Sequence, residues 1–213
     1  MGQNNDFIEA LDYLQDLYVK SREAIVLLEN YNKGKESFIG PHNEMRNALD
    51  HIMKMIRGRN KSETFESELR GAESHLLRAG YDSYELICIS QIQYISEVLG
   101  KYSSIDISVA FPTYYTEIRK EILNIEKQTA KLRETKRQEN SHGKDTFEFY
   151  FETAEKLIEY VKKIDEYVPI IAECYNDRIA REEKTQKPSK LGIIIGIIGI
   201  IIGIAGLFFA FLK

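Results

Sequence analysis

From Leu191 to Leu212 the chain carries about 22 residues without a charged or strongly polar side chain, and at 1.5 Å per residue a helix of that length covers roughly 33 Å, enough to cross a bilayer. A buried strand would be much shorter, and a secretory signal would stand at the N-terminus, where MGQNNDFIEALDY is polar and acidic. The segment reads as a membrane helix. Arg178, Arg181, Lys184, Lys187 and Lys190 precede it and only Lys213 follows, so the positive-inside rule places the preceding domain in the cytoplasm. The sequence thus predicts a single-pass, tail-anchored protein of the cell inner membrane with a cytoplasmic N-terminal domain.

Glycines at Gly192, Gly196, Gly199, Gly203 and Gly206 step by four, three, four and three, which draws one seam down the helix between isoleucine ridges. Lipid supplies little hydrophobic drive to bring helices together, so close backbone approach through small residues is a main route to association. The seam predicts a homo-oligomer; the plainer alternative is an anchor whose glycines merely suit a membrane helix. A water-filled pore is disfavoured because no polar side chain lines any face.

The remaining residues, about 190 of them, are enough for one good-sized domain with a buried core. A formal net charge of −4 argues against a broad basic face for duplex DNA and leaves a local basic pocket open. Cys88 and Cys174 sit in apolar helical surroundings, ICIS and AECY, and read as packing residues rather than a disulfide. Histidines and cysteines are scattered without zinc-ligand spacing, and phosphate-loop, nucleophile-elbow and kinase motifs are missing. No metal and no cofactor is expected.

Apolar residues recur at three and four almost everywhere and prolines are few, which predicts an all-α helical bundle with a long helical hairpin and the C-terminal transmembrane helix. Phe7, Leu11, Leu14, Tyr18, Ile25 and Leu28 mark a helix over residues 5–31, and others follow over 43–56 and 63–99. KYSSIDISVAFP reads as a linker. A fourth helix over 113–136 carries Ile118, Ile122, Ile125 and Leu132 on a heptad-like seam. A fifth starts near Thr146 with Phe147, Tyr150, Ala154, Leu157, Val161 and Ile164 inward, and Pro169 should kink or restart it. Organisation follows as a bundle over 1–140, a long helix with a juxtamembrane linker over 141–190, and the anchor over 191–212.

Two hexads break the ordinary pattern: Arg46-Asn-Ala-Leu-Asp-His51 and Arg70-Gly-Ala-Glu-Ser-His75. Five residues rotate by about 140° on a helix, so arginine and histidine of one hexad do not share a face. Glu44, Asn47 and His51 do share one, and His75, Arg78 and Asp82 form a similar stripe. Where the stripes meet, a carboxylate can fix a histidine tautomer and raise its basicity. Equally, His51 and His75 are bundle histidines satisfied by Glu44 or Asp82, with arginines in surface pairs such as Arg46 to Asp50.

The RNALDH run, Arg46 to His51, in a small all-helical domain resembles the signature of the HEPN superfamily. That resemblance covers one motif and the general architecture of residues 1–140; here the motif lies on the second helix and Ile52 follows it. It implies a metal-independent ribonuclease with a composite site where two motifs meet in a dimer. His51 would handle the 2′-hydroxyl or leaving-group proton, Arg46 the charge developing on phosphate, and Asn47 the orientation of nearby groups. Arg70 and His75 form the second candidate set. HEPN-like membrane accessory proteins of type VI CRISPR loci are the non-nuclease counterpart.

The reading that results is a membrane-anchored, self-associating HEPN-like effector or accessory protein of bacterial antiviral or abortive-infection defence, with the membrane, RNA or a defence-system protein as partner. The rivals are a tethered metal-independent endoribonuclease, and a tail-anchored non-enzymatic adaptor that binds through a hairpin over residues 109–183 and its Ile118 and Ile122 face.

Overall fold

The computed structural model describes residues 2–32, 38–58, 62–138 and 143–186, and among them every regular element is helical. The order is α1 (Gly2–Asn32), α2 (Ile39–Arg57), α3 (Ser62–Leu99), α4 (Ser104–Ala110), a π-helical turn (Tyr114–Ile118), α5 (Arg119–Gln138) and α6 (Lys144–Gln186). The expected membrane helix over 191–212, with its five seam glycines, lies outside the described residues. No helix among those described is long and apolar enough to cross a membrane.

Everything is arranged on α3, whose 38 residues span about 57 Å. Its first half receives α1 and α2, and its middle and second half receive α6. Phe7 meets Phe65, Tyr13 bonds Glu73 and Ser21 donates to the Leu76 carbonyl, so α1 runs parallel to α3. Glu44 reaches His75 while His51 reaches Glu68, so α2 runs antiparallel. Cys88 lies against the Tyr150 carbonyl and Tyr94 bonds Asp165, which makes α6 parallel again. Lys156 of α6 pairs with Glu121 and Arg133 of α5 with Glu85; α5 therefore runs down between two ascending helices.

Small residues explain how three helices crowd one. Ala72, Ala79, Gly80 and Ser83 of α3 and Ser21 and Ala24 of α1 are buried. A Cβ on Gly80 would collide with the ring of Phe147, so the aromatic ring uses the space that alanine would fill. One hydrophobic core results, running from Leu14 through Met55, Leu76 and Ile122 to Ile171.

Several sequence expectations change here. Of the residues that mark the α1 period, Leu14, Ile25 and Leu28 are buried but Tyr18 is 44% exposed, and Ala10, Leu17, Ser21 and Ala24 complete the buried stripe; close packing on α3 selects small side chains over the tyrosine. KYSSIDISVAFP is not merely a linker. Ser103 and Asp106 close a capping box and start α4, which satisfies the first free N–H groups of a seven-residue helix. Pro169 does not restart α6, which passes through it in one 43-residue helix, because the proline stands on an exposed position where water can serve the carbonyl its missing N–H leaves free. The expected long hairpin is not a separate projection: α6, assigned by sequence to the segment 141–190, puts Phe147, Tyr150, Ala154, Leu157 and Ile164 into the same core as α1 to α3. Ile118 and Ile122, offered as an adaptor face, are 2% and 1% exposed. They are core residues, unable to meet a partner without unfolding.

Arg178 ties the far end of α6 to α4. Its Nε lies 2.9 Å from Asp106 Oδ1 and its Nη2 3.0 Å from Oδ2, a bidentate fork, while Tyr102 sits edge-on to Tyr175 beside it. The Arg178 bonds, then those from Ser103, lower the Asp106 carboxyl to about 2.

Gly80→Ala is expected to destabilise the fold by about 1–3 kcal/mol through overpacking against Phe147, read from the urea midpoint by circular dichroism. A group whose folded pKa is depressed stabilises above its unfolded value and loses that contribution as protons bind the folded state. The stability gap between wild type and Asp106→Asn should therefore be full above about pH 4 and close as pH falls toward about 2, measured by urea unfolding at stepped pH. A gap constant across that range would show that the carboxylate charge is not what holds α6.

Candidate functional site

The two antiparallel helices α2 and α3 bring the candidate histidines together. Glu44 and His51 are seven residues apart on α2, and Glu68 and His75 are seven apart on α3, so each pair lies on one face across two helical turns. Running the helices in opposite directions sets the glutamate of each beside the histidine of the other. His51 Nδ1 lies 2.7 Å from Glu68 Oε2 and His75 Nδ1 lies 2.6 Å from Glu44 Oε2. The two imidazoles stack between these bonds with centroids 5.2 Å apart and planes at 28°. All four side chains are only 21–28% exposed.

Backbone approach makes room for the stack. A Cβ on Gly71 would come within 2.5 Å of His51 Nδ1, so any side chain there would displace the ring. Ala48 and Ala72, four residues beyond Glu44 and Glu68, are 1% and 0% exposed and let the helices close. Asn47 occupies the place on α2 that Gly71 occupies on α3 and is half-buried.

The arginines of the hexads go elsewhere. Arg70 is on the solvent face, 3.7 Å from Glu66 with both side chains more than 60% exposed. Arg46 is exposed and lines a groove of about 540 Å³ between α1 and α2, together with Tyr18, Arg22, Glu29 and His42, and neither His51 nor His75 lines that groove. The 140° offset within each hexad has this outcome: the histidine face is turned to the partner helix, and the arginine face is turned away.

A carboxylate at each Nδ1 requires the hydrogen on that nitrogen, which leaves the lone pair on Nε2. Each histidine–glutamate pair is thereby set to accept a proton at Nε2. The same bonds also act as a clasp between α2 and α3, and Tyr81 stands close by: burial raises its phenol to about 12, with the Asp82 charge adding to this, a hydrogen bond from Arg78 opposing it, and Glu44 contributing in the raising direction. Among the described residues, no group of three or more histidine, cysteine or acidic side chains is placed to hold a metal ion. Both cysteines are free, and burial raises the Cys88 thiol to about 12, so it packs rather than reacts.

Glu44 and Glu68 are the site residues that lie outside the hexads, and Glu68 is the one the sequence reading did not name. Starting each window two residues earlier gives Glu44-Met-Arg-Asn-Ala-Leu-Asp-His51 and Glu68-Leu-Arg-Gly-Ala-Glu-Ser-His75, an octad in which glutamate, arginine, alanine and histidine recur at the same places. That short repeat is the signal for a reciprocal pair.

Gly71→Ala should destabilise wild type by about 1 kcal/mol or more, because the His51 ring must leave Glu68. In a His51→Ala background the same change should stabilise by up to about 1 kcal/mol, the helix-propensity gain of alanine over glycine. A double-mutant cycle by urea unfolding reads the sign reversal; additive effects would place the glycine's role elsewhere. Searches against protein-family models, curated proteins and solved structures find nothing that matches the chain.

Proposed function

We propose that this chain is a membrane-anchored, self-associating helical protein that acts at the bacterial inner membrane as an effector or accessory protein, of the antiviral or abortive-infection kind the HEPN-like motif implies. The observation that carries this reading is the uncharged Leu191–Leu212 segment with its glycine period, which follows α6 after residues 187–190 only. Its length suits a bilayer and its small-residue seam suits helix pairing. Tethering in a plane raises the effective concentration of subunits, so modest contacts are enough for assembly.

The placement of Arg46 and Arg70 supports the effector over the nuclease. Charge that builds on a scissile phosphate needs a cation at the reacting centre, and neither hexad arginine stands with the stacked imidazoles. A second reading, a tethered metal-independent endoribonuclease, is favoured by one observation. Two imidazoles, each with a carboxylate on Nδ1, are the proton-handling half of an acid–base site.

Induced expression in bacteria of wild type, an Arg46→Ala/His51→Ala double variant and a chain truncated after Lys190 tests both readings, with membrane potential and total RNA integrity followed together. Wild type should depolarise the cells, the double variant should retain that activity, and the truncated chain should lose it. RNA cleavage that disappears in the double variant and persists in the truncated chain would overturn the proposal in favour of the nuclease.

A further inference from the structure

Independent of the histidine pair, a cleft of about 470 Å³ opens between the C-terminal half of α3, the π-helical turn and α5. Its size falls in the usual range of small-molecule sites, about 300–1,000 Å³. The π turn is closed by the Arg119 N–H donating to the Tyr114 carbonyl, five residues back. Such turns are rare and concentrate at functional positions. Here the turn presents two consecutive tyrosines differently: Tyr114 is 5% exposed in the core and Tyr115 is 40% exposed at the cleft, edge-on to one another at 4.9 Å. Behind them Phe111 lies 6.1 Å from Tyr114 and stacks flat on Tyr167 at 4.0 Å. A row of aromatic rings thus runs from α6 through the core and ends on an accessible ring.

Arg119 also lines the cleft, half-buried. Among the described residues no ion pair or hydrogen bond of its guanidinium is found; its charge acts on the Tyr114 phenol, holding it down against the rise that burial causes. Gln93 and Ser96 of α3 face it across the cleft, and Ile122 supplies an apolar floor. Glu126 lines the same cleft two turns further along α5, about 10 Å away. Its carboxylate repels a second anionic group.

We propose that this cleft binds a small ligand that joins a flat apolar ring to one anionic group, with the ring against Tyr115 and the anion on Arg119. A half-buried guanidinium facing open space is a strong anion receptor, because its planar fork matches a carboxylate or a phosphate and partial desolvation strengthens the bond. The ring supplies the apolar contact that an inorganic anion lacks.

Fluorine NMR of 4-fluorobenzoate and of 4-fluorophenyl phosphate, titrated with the full-length purified chain, tests this. Saturable line broadening is expected for at least one of them, and the tighter of the two identifies the anion as carboxylate or phosphate. Arg119→Gln should weaken binding by about tenfold or more, the ordinary worth of a charge-assisted bond. Ser96→Phe, at an exposed position where folding is not at stake, should abolish binding by filling the cleft. Binding that is unchanged in Arg119→Gln, binding of neutral 4-fluorobenzyl alcohol as tight as that of the anions, or no saturable broadening up to about 10 mM would each overturn the proposal.

Discussion

The bundle depends on how closely α3 can be approached. Interior helices pack at the density of organic crystals, and a 38-residue helix that takes α1 and α2 on one half and α6 on the other cannot carry large side chains at every contact. Gly71, Ala72, Ala79, Gly80 and Ser83 solve this along one length of chain, and the partner helices fill the space with a His51 ring, a Phe147 ring and the Ser21 hydroxyl. Leu76, Ile87 and Ile95 then supply the apolar burial between and beyond these close approaches. Hydrophobic area alone would permit many helix registers. The glycine-and-ring fits select one.

Polar selection reinforces that register at α2. Burying four ionisable side chains stabilises little by itself, because the loss of hydration offsets much of the attraction. What reciprocal histidine–glutamate bonds add is discrimination: sliding α2 by one turn along α3 would leave two carboxylates and two imidazoles without partners in a half-buried seam, a far larger penalty than the bonds' net worth. A repeated octad on two antiparallel helices is an economical way to encode such a clasp, since one spacing serves both strands of contact. The same argument places the hexad arginines outside. With glutamate, alanine and histidine committed to the partner helix, the arginine two places after each glutamate is rotated onto another face.

Helix content was legible in the sequence because three-and-four periodicity reports the buried stripe directly, and α3 and α6 came within two residues of their predicted limits at the ends the sequence could define. Less legible was anything that depends on a partner. Tyr18 sits in the apolar period of α1, yet the buried edge is one residue away, because the neighbour presents glycine and alanine rather than a pocket for a ring. Ile118 and Ile122 form a clear seam; whether a seam faces the core or a partner is not a property of one helix. The short α4 hides for a different reason: seven residues are too few for a period, and only the Ser103 and Asp106 spacing marks it. At the histidine site the stripe containing Glu44 and His51 was visible, as was Glu44 as a potential histidine partner, but Glu68 and Gly71 became meaningful only once α2 was known to run antiparallel to α3.

The direction in which α6 leaves the bundle is set by contacts that also shape the α3–α5 cleft. Tyr167 of α6 stacks on Phe111, Phe111 touches Tyr114, and Tyr114 opens the π turn that carries Tyr115 and Arg119. About three turns further along α6, Arg178 grips Asp106, whose capping box starts α4. Rotating α6 about its own axis therefore has to part a stacked aromatic pair and a bidentate ion pair together, and both are linked through α4 and the π turn to the cleft wall. Packed elements of this kind move between discrete arrangements rather than deforming smoothly. The cleft geometry and the heading of α6 are consequently two aspects of one packing arrangement, which is why a change at the cleft wall has a physical route to α6 and a change along α6 has one to the cleft.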